Sequence, residues 1–370
     1  MINKVSYFKP AGLNSWETFL ENLYSDNTQG IFLMVAEETE FIYQMLQPLF
    51  RQYNIPIFGG IFPGVIYEDC HYTEGVVGCA IGCPMNLDII HQLNKFTGFP
   101  TETSTSEESM LILIDGRSRN ITKFLNTIFE TTTCQGFIGG GAGTLHSGHE
   151  QHVLFSQNDF FNNGAIIVNF KSYIGIKVSH GWQPMYGPLV VNRSHGNKIM
   201  EINWQSAFST YQKVLKAEAN ISIEQEEFFN IAKGYPFGMV KMDGSIIVRD
   251  IIHLKDDGSL VTVGEIPENS IIMLLQGSSE DLINSASNVA KHISSKYNTT
   301  GGRRMNYLLV DCISRALYLG EDLKKELQTV REHISTDSNL FGFLSFGEIA
   351  SNGDRYLEFY NKTTVVGVCE

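Results

Sequence analysis

LILID, at residues 111–115, begins the stretch of sequence that decides the fold. Its unbroken apolar run predicts a buried strand, and the 3.6-residue periodicity that follows predicts a helix near residues 120–130. GFIGGGAG (136–143) then predicts a second strand that ends in glycines. Two more strands, HVLFS (152–156) and GAIIVNF (164–170), complete a unit in which a strand, a helix and further strands follow one another.

The same order of elements occurs twice more in the chain. The first copy contains the strand IFLMVA (31–36), a helix near Glu40–Tyr53, a strand at 55–59, the glycine-rich bend GGIFPG (59–64) and a strand at 75–81. The last copy contains the strand YLLVD (307–311), a helix near Gly320–His333, the segment FGFLSFGEI (341–349), and the strands YLEFY (356–360) and TTVVGVC (363–369). A single strand–helix–strand piece is common in any α/β protein, but three in the same order indicate an internal repeat.

A different stretch separates the second unit from the third. It is predicted to contain strands near 175–178 and 246–254 and helices near 204–217 and 280–294. We therefore predict an α/β (α+β) fold of layered mixed β-sheets with outer helices, built from repeated β-α-β-β-β units. The change from strands to a helix around 195–202 indicates a boundary between two modules.

The composition narrows the kind of protein. In 370 residues, 27 Lys plus Arg oppose 40 Asp plus Glu, a net charge of −13, which argues against binding to a nucleic acid backbone. With 43% hydrophobic and 18% charged residues, the chain can bury a large core. The six cysteines form no CxxC pair and are typical of reduced thiols. Because neither a signal peptide nor an apolar run of about 18 residues is visible, we expect a cytoplasmic protein without a membrane partner.

An ordered set of segments gives the chain a family resemblance. After GFIGGGAG come VSHGWQP (178–184), RSHGNKIMEIN (193–203), YPFGMVKMDG (235–244), DGSLVTVGEIPENSIIML (257–274), VDCISRALYLGED (310–322) and FGFLSFGEIA (341–350). Over residues 15–368 this series resembles the FIST sensory family of bacterial signalling proteins. The resemblance implies a FIST N-terminal module at 15–200, a FIST C-terminal module at 201–370, and a sensor of a small ligand that is not an enzyme.

The resemblance also implies partners and a cofactor. FIST modules often accompany histidine kinases or cyclic-di-nucleotide signalling enzymes, and this chain shows no kinase or receiver motif. We therefore expect it to regulate a separate histidine kinase in a two-component system, as a monomer or a homodimer. The apolar turn IPIFGGIFPGVIY (55–67) is similar to the standalone branch that binds haem and senses nitric oxide. That branch implies haem b as the cofactor and nitric oxide as the signal.

His180 is the first candidate for the haem iron. It ends the predicted strand IGIKVSH (174–180) and precedes a glycine, a position from which a neutral imidazole can donate a ring nitrogen to iron. Trp182, Pro184 and Met185 then supply an apolar wall for the porphyrin. The alternative is a histidine that only hydrogen-bonds a neighbouring carbonyl.

HSGHEQH (146–152) offers three more histidines at spacings of three. In a helix, His146, His149 and His152 would share a face and could bind a metal, but the Gly and Ser in this segment argue for a solvated loop. His146 and His149 are the second choice for the iron ligand, in case the loop folds over the pocket.

Four polar residues, Cys312, Arg315, Ser345 and Glu348, fall at the carboxyl ends of the two predicted strands of the last unit. Proteins of the α/β class place ligands at such edges, and the resemblance implies a polar small-molecule pocket there. Arg315 can clamp a haem propionate or a small carboxylate with two hydrogen bonds, or it can pair with Glu348 and only fix the strands together. The alternative function is therefore a FIST sensor of an amino acid or small carboxylate without haem.

Sequence motifs of common enzymes are absent. GFIGGGAG lacks the lysine of a phosphate-binding loop, and the chain has no G-x-S-x-G, no H-E-x-x-H and no Ser-x-x-Lys set with its supporting motifs. Asp115 and Asp311 end equivalent strands, but capping of a helix explains them as well as a carboxylate pair does. A hydrolase that uses a strand-end Cys or Ser is the third hypothesis.

Overall fold

The computed structural model describes residues 1–99, 105, 107–146, 151–223, 227–297, 304–351 and 356–369. The strands of the first half are β1 (Ile2–Phe8), β2 (Gly30–Ala36), β3 (Ile57–Phe62), β4 (Gly64–Tyr67), β5 (Cys70–Tyr72), β6 (Val76–Ile81), β7 (Met85–Ile90), β8 (Ser109–Asp115), β9 (Gly136–Ala142), β10 (Leu154–Ser156), β11 (Phe160–Phe161), β12 (Ala165–Phe170) and β13 (Ile174–Ser179).

The strands of the second half are β14 (Gln183–His195), β15 (Lys198–Ile202), β16 (Gln205–Ser206), β17 (Phe237–Val240), β18 (Ile246–Arg249), β19 (Ile251–Leu254), β20 (Leu260–Thr262), β21 (Ile271–Gln276), β22 (Asn306–Cys312), β23 (Asn339–Ser345), β24 (Glu348–Ser351), β25 (Leu357–Tyr360) and β26 (Thr364–Cys369). The α-helices are α1 (Leu13–Leu23), α2 (Tyr43–Phe50), α3 (Ile121–Glu130), α4 (Ala207–Ala219), α5 (Phe228–Ala232), α6 (Ser279–Tyr297), α7 (Ile313–Leu319) and α8 (Leu323–Glu332), and 3₁₀ turns occupy Leu93–Lys95 and Gly320–Asp322.

The predicted α/β fold and its internal repeat are confirmed, because three units share one topology. In each unit a helical connection joins two parallel strands, and a later strand pairs antiparallel with the first of them. The resulting orders are β6-β2-β3, β12-β8-β9 and β26-β22-β23, and one more strand, β1, β7 or β13, flanks the unit.

The three units are closed by a cyclic exchange of hairpins. The hairpin β4–β5 of the first unit extends the sheet of the third unit beside β23. The hairpin β10–β11 of the second unit joins the first sheet beside β3, and β24–β25 of the third unit joins the second sheet beside β9. The third sheet therefore combines strands of both predicted modules, and the division at 200/201 stays a prediction.

Glycines recur at matching places of the repeat because the parallel strands approach closely there. A Cβ at one position in the second parallel strand of each unit would overlap a carbonyl oxygen of the first strand. The three pairs are Gly59 with Leu33, Gly139 with Ile112, and Gly342 with Leu309. Any larger residue at these positions would push the two strands apart.

The main core lies where the three sheets face one another. It contains buried apolar side chains from every unit, among them Phe58, Leu113 and Phe343. The outer faces of the sheets are covered by helices: α1 and α2 on the first sheet, α3 on the second, and α6 to α8 on the third. Burial of these apolar faces is the main stabilising term for such a layered fold.

A fourth sheet is inserted between β13 and α6. Its order is β18-β17-β21-β14-β15-β20-β19, with β16 paired to β15, and α4 and α5 pack against it. The helices predicted near 204–217 and 280–294 correspond to α4 and α6. No helix among the described residues is long and apolar enough to cross a membrane.

The helix predicted near Gly320–His333 needs a correction. The chain turns helical directly after Cys312, so α7 precedes the predicted range, and α8 fills most of it. Gly320, with φ +55°, ends α7 because a left-handed backbone favours glycine and interrupts the helix. This early start moves Arg315 from a strand end onto a helix.

Candidate functional site

The carboxyl edge of the third sheet brings three of the predicted polar residues together. Cys312 ends β22, Ser345 ends the parallel strand β23, and Glu348 begins β24. The Ser345 hydroxyl donates to Oε1 of Glu348 over 2.7 Å, and the Thr363 N–H donates to Oε2 over 3.1 Å. Burial raises the pKa of the Glu348 carboxyl well above its usual range, and Cys312 hydrogen-bonds the same side chain. Cys312, Ser345 and Glu348 therefore form a buried polar network that is closed to solvent.

The three units differ in the side chains that they carry at this edge. The units can be compared at the position three residues after the glycine that recurs in the second parallel strand. In the third unit, this position is Ser345, which pairs with Cys312. It is Phe62 with Ala36 in the first unit. It is Ala142 with Asp115 in the second, where the Asp115 carboxylate accepts the backbone N–H of Arg117 in the following turn and that of Asn163. The three units therefore share a backbone arrangement but place different side chains at this edge.

Arg315 is fully buried and pairs with a carboxylate that the sequence did not suggest. Its Nε lies 3.0 Å from Oε1 of Glu326, and its Nη2 lies 2.5 Å from Oε2. The pair with Glu348 that the spacing suggested is not formed, because α7 carries Arg315 toward α8 and away from β24. Burial, with Glu326 as the next cause, raises the pKa of Asp311 well above its usual range. Asp311 lies beside the ion pair, with its Oδ1 3.7 Å from Nε of Arg315.

The remaining donors of Arg315 hold two backbone segments. Nη1 donates to the carbonyl oxygen of His180 over 2.6 Å, and Nη2 donates to that of Leu282 over 2.6 Å. All three guanidinium nitrogens therefore have acceptors inside the protein, and a ligand carboxylate would have to displace one of them. Arg315 is a positioning residue that ties the β13–β14 turn to the start of α6.

Those two segments form the walls of an open cleft of about 540 Å³, which we call the His180 cleft. It is lined by Ser179, His180, Gly181, Trp182, Gln183, Pro184, Gly244, Ile246, Asp281, Asn284, Ser285 and Asn288. The α6 residues in this list are spaced by three, one and three positions, so they share one face of the helix. Ser285 closes the base of the cleft, since its hydroxyl donates to that of Ser179 over 2.7 Å.

The His180 ring is held in place by the protein. Its Nδ1 accepts the backbone N–H of Trp182 over 3.0 Å. Because Nδ1 accepts, the single proton of the neutral ring is on Nε2. Burial, with the Arg315 charge as the second cause, lowers the pKa of His180 to about 4. The imidazole is neutral at pH 7.

The residues predicted to bind haem do not fit that group in this arrangement. An iron-ligating imidazole presents an unprotonated ring nitrogen to the metal, whereas Nδ1 of His180 already accepts the N–H of Trp182 and Nε2 carries the proton of the neutral ring. Met185 packs against the core of the fourth sheet, and Trp182 belongs to the core of the third. Arg315 lies behind the cleft with its donors occupied. Haem binding itself stays a prediction.

The second-choice iron ligands lie elsewhere. His146 is exposed, His149 falls outside the described residues, and His152 contacts the ring of Phe160 edge-on. No group of three His, Cys, Asp or Glu side chains in the described ranges could hold a metal ion.

Lys362 is a buried residue of the site that the sequence did not single out. Its Nζ donates to the carbonyl oxygen of Lys233 and to Oγ of Ser314, each over 2.8 Å, and lies 3.2 Å from Oδ1 of Asp250. Its own carbonyl oxygen accepts the indole N–H of Trp182 over 3.2 Å. Lys362 therefore joins the floor of the His180 cleft to three segments of the second half. Lys362 belongs to the segment YNKTT (360–364), in which no local pattern indicates that the lysine is buried.

Comparison with known proteins gives two matches. Residues 30–205 match the family model of the FIST N domain, and residues 207–351 match that of the FIST C domain. No curated protein matches the chain.

Proposed function

We propose that this chain, a FIST-domain protein that carries the N domain and the C domain in tandem, senses a small polar ligand in the His180 cleft. FIST domains suggest small-ligand sensing, and the predicted residues His180 and Trp182 both line the cleft. One observation carries the proposal: a single buried guanidinium, Arg315, donates to carbonyl oxygens on both walls of the cleft. A ligand that changes the spacing of the walls must therefore change the contacts of Arg315.

The lining favours an amine-bearing ligand over a carboxylate. Among the described residues that line the cleft, Asp281 is the one charged side chain at pH 7, since His180 is neutral. Asn284, Asn288 and Gln183 add amide donors and acceptors. An amino acid fits through its ammonium group and its polar side chain, whereas a simple dicarboxylate meets no cation. Of the predicted ligands, amino acids and small carboxylates, those that carry an amine therefore fit the cleft better.

The signal would leave the cleft through the buried charges. Movement of the His180 turn changes the bonds of Arg315, and hence of Glu326 on α8. Movement of Trp182 changes the contacts of Lys362. A ligand shifts such an equilibrium only by the difference in its affinity for the two states. The receiver of the signal is proposed to be a separate histidine kinase or cyclic-di-nucleotide enzyme.

Thermal shift measurements with four ligand classes test the proposal: primary amines, amino acids, dicarboxylates and neutral polyols. We expect amines or amino acids to raise the Tm in a concentration-dependent way, because binding to the folded state alone stabilises it. Asn284→Ala and Asn288→Ala should weaken the effect at least tenfold. Asn14→Ala, an exposed asparagine on α1, is the matched control and should change nothing.

Two outcomes would remove the proposal. One is that no class raises the Tm. The other is that the cleft variants respond like the control.

The haem alternative has its own readout, since haem supplied during expression gives a Soret band that nitric oxide shifts. Because Nδ1 of His180 accepts the N–H of Trp182, a haem-loaded form would require this ring to leave Trp182 or to move its proton off Nε2.

A further inference from the structure

Within the described part of the chain, one edge of β7 has no strand beside it, and the register of β7 shows which of its backbone groups lie on that edge. Among the described residues β7 pairs with β12, antiparallel, with Asn86 opposite Asn169 and Asp88 opposite Ile167. The N–H of Lys171 donates to the carbonyl oxygen of Pro84, so the 84–171 pair is hydrogen-bonded. Hydrogen-bonded and non-hydrogen-bonded pairs alternate along an antiparallel ladder. The even-numbered residues of β7 therefore bond β12, and the N–H and C=O groups of the odd-numbered residues point outward.

The equivalent edge strands of the other two units carry a bulge or a lysine, whereas β7 carries neither. A register shift interrupts β1 beside Lys4, and β13 carries Lys177. Lysines and bulges are the devices by which proteins prevent unwanted strand pairing. MNLDII (85–90) contains neither lysine nor proline, and its register with β12 is uninterrupted. Its outward residues, Met85, Leu87 and Ile89, are all apolar.

A cleft of about 930 Å³ surrounds this edge, and we call it the β7 groove. On one side it is lined by residues 53–57, which lead into β3, and by the turn at 156–158, which follows β10. Both strands belong to the first sheet. On the other side it is lined by Asn86, Asp88, Phe99, Met110 and Asn169. Asn169 is buried, and its Nδ2 donates to Oε2 of Glu108 over 2.7 Å, while its Oδ1 has no partner among the described residues. The groove thus offers backbone groups, amides and apolar surface together.

We propose that the β7 groove binds one extended, uncharged peptide segment of a partner protein by strand addition to β7. Backbone hydrogen bonds to Leu87 and Ile89 supply affinity, and alternate side chains enter the two sides of the groove. The wall formed by residues 53–57 and 156–158 lines the other side of this cleft of about 930 Å³. The edge of a second copy would bring its whole sheet against this wall, so a lone segment is the better occupant. Among the described residues, the lining contains one cation, Arg51, and one carboxylate, Asp88, which favours a segment without net charge.

Residue-resolved amide exchange with a synthetic probe tests this assignment. The probe is the peptide GAIIVNF with both ends blocked, an uncharged copy of residues 164–170, whose natural partner across an antiparallel ladder is β7. Without the probe, the amides of Leu87 and Ile89 should exchange fast and those of Asn86 and Asp88 slowly. With the probe, Leu87 and Ile89 should become at least tenfold more protected. Of two probes N-methylated at alternate residues, one should bind and the other should not.

Two proline variants provide a matched pair. Leu87→Pro removes an outward N–H, so it should abolish probe binding while the protein keeps its fold. Asp88→Pro removes a ladder bond to β12 and should lower the Tm strongly. The proposal is overturned if Asn86 and Asp88 exchange faster than Leu87 and Ile89, or if the probe leaves their exchange unchanged. Protection that rises with protein concentration in the absence of the probe would instead assign the edge to a second copy and overturn the lone-segment occupant.

Discussion

Arg315 and His180 lie 135 residues apart in sequence, yet Nη1 of Arg315 donates to the carbonyl oxygen of His180 over 2.6 Å. The same guanidinium bonds Leu282 on α6 and Glu326 on α8. Because His180 and α6 form the two walls of the cleft, the shape of the cleft and the buried ion pair cannot change independently. This linkage turns a structural arginine into the positioning residue of the site.

Arg315→Ala is expected to lower the free energy of unfolding by about 3–5 kcal/mol, because it leaves the buried Glu326 carboxylate without its cation. Arg193→Ala is the matched control, since the pair of Arg193 with Glu201 is exposed and such pairs contribute at most about 1 kcal/mol. Denaturant unfolding of both variants measures the difference. Equal losses would mean that the buried pair contributes no more than a surface pair.

The partner of Arg315 can be identified by rescue. Arg315→Ala combined with Glu326→Gln should recover part of the lost stability, because the orphaned carboxylate is replaced by a neutral amide. Arg315→Ala combined with Glu348→Gln should recover none, since Glu348 bonds Ser345 and Thr363 instead. Rescue by the Glu348 variant and not by the Glu326 variant would contradict the observed pairing.

The stability should depend on pH through His180. Its folded pKa is about 4, below the ordinary value of 6.5, so the unfolded state binds more protons between these values. The stabilisation is therefore complete above about pH 6.5 and is lost as the pH falls toward 4, with a slope of at most about 1.4 kcal/mol per pH unit. His180→Gln should remove this slope, whereas His146→Gln, an exposed control, should keep it. Identical slopes in all three proteins would contradict the assignment.

Lys362→Met is expected to destabilise the fold by about 3–5 kcal/mol, because the Asp250 carboxylate is buried, has no hydrogen-bond partner among the described residues, and has this lysine as its cation at 3.2 Å. Adding Asp250→Asn should restore part of the loss. The fluorescence of Trp182 provides a second measurement, since Nζ of Lys362 lies 5.1 Å from the ring centroid. Additive effects of the two substitutions would show that the residues are not coupled.

Gly342→Ala should prevent correct folding or lower the Tm by more than any surface substitution, because the new Cβ would overlap the Leu309 carbonyl oxygen in the neighbouring strand. The equivalent changes at Gly59 and Gly139 should act alike if the three units are built in the same way. Gly234→Ala is the control, since a Cβ there lies 3.3 Å from the nearest side-chain atom, at the edge of Tyr318. A Gly342→Ala protein that melts like the control would contradict the close strand approach.

Much of the fold follows from local patterns. Apolar runs such as 111–115 and 307–311 became the buried strands β8 and β22, and the helix predicted near 120–130 became α3. The grouping of Cys312, Ser345 and Glu348 also followed from the rule that adjacent parallel strands end at one edge. The partner of Arg315 did not follow, because one early helical turn after Cys312 redirected its side chain to α8.

The sequence by itself determined that three related strand–helix–strand units exist, since periodicity and glycine spacing act over a few residues and need no partner. Only the tertiary structure decided how the units close, because each hairpin leaves its own unit and completes the sheet of another. It also decided which charges meet, since Lys362 with Asp250 and Arg315 with His180 join segments more than 100 residues apart. Burial makes such contacts costly to leave unpaired, and burial is a property of the packed sheets, which no local run of residues encodes.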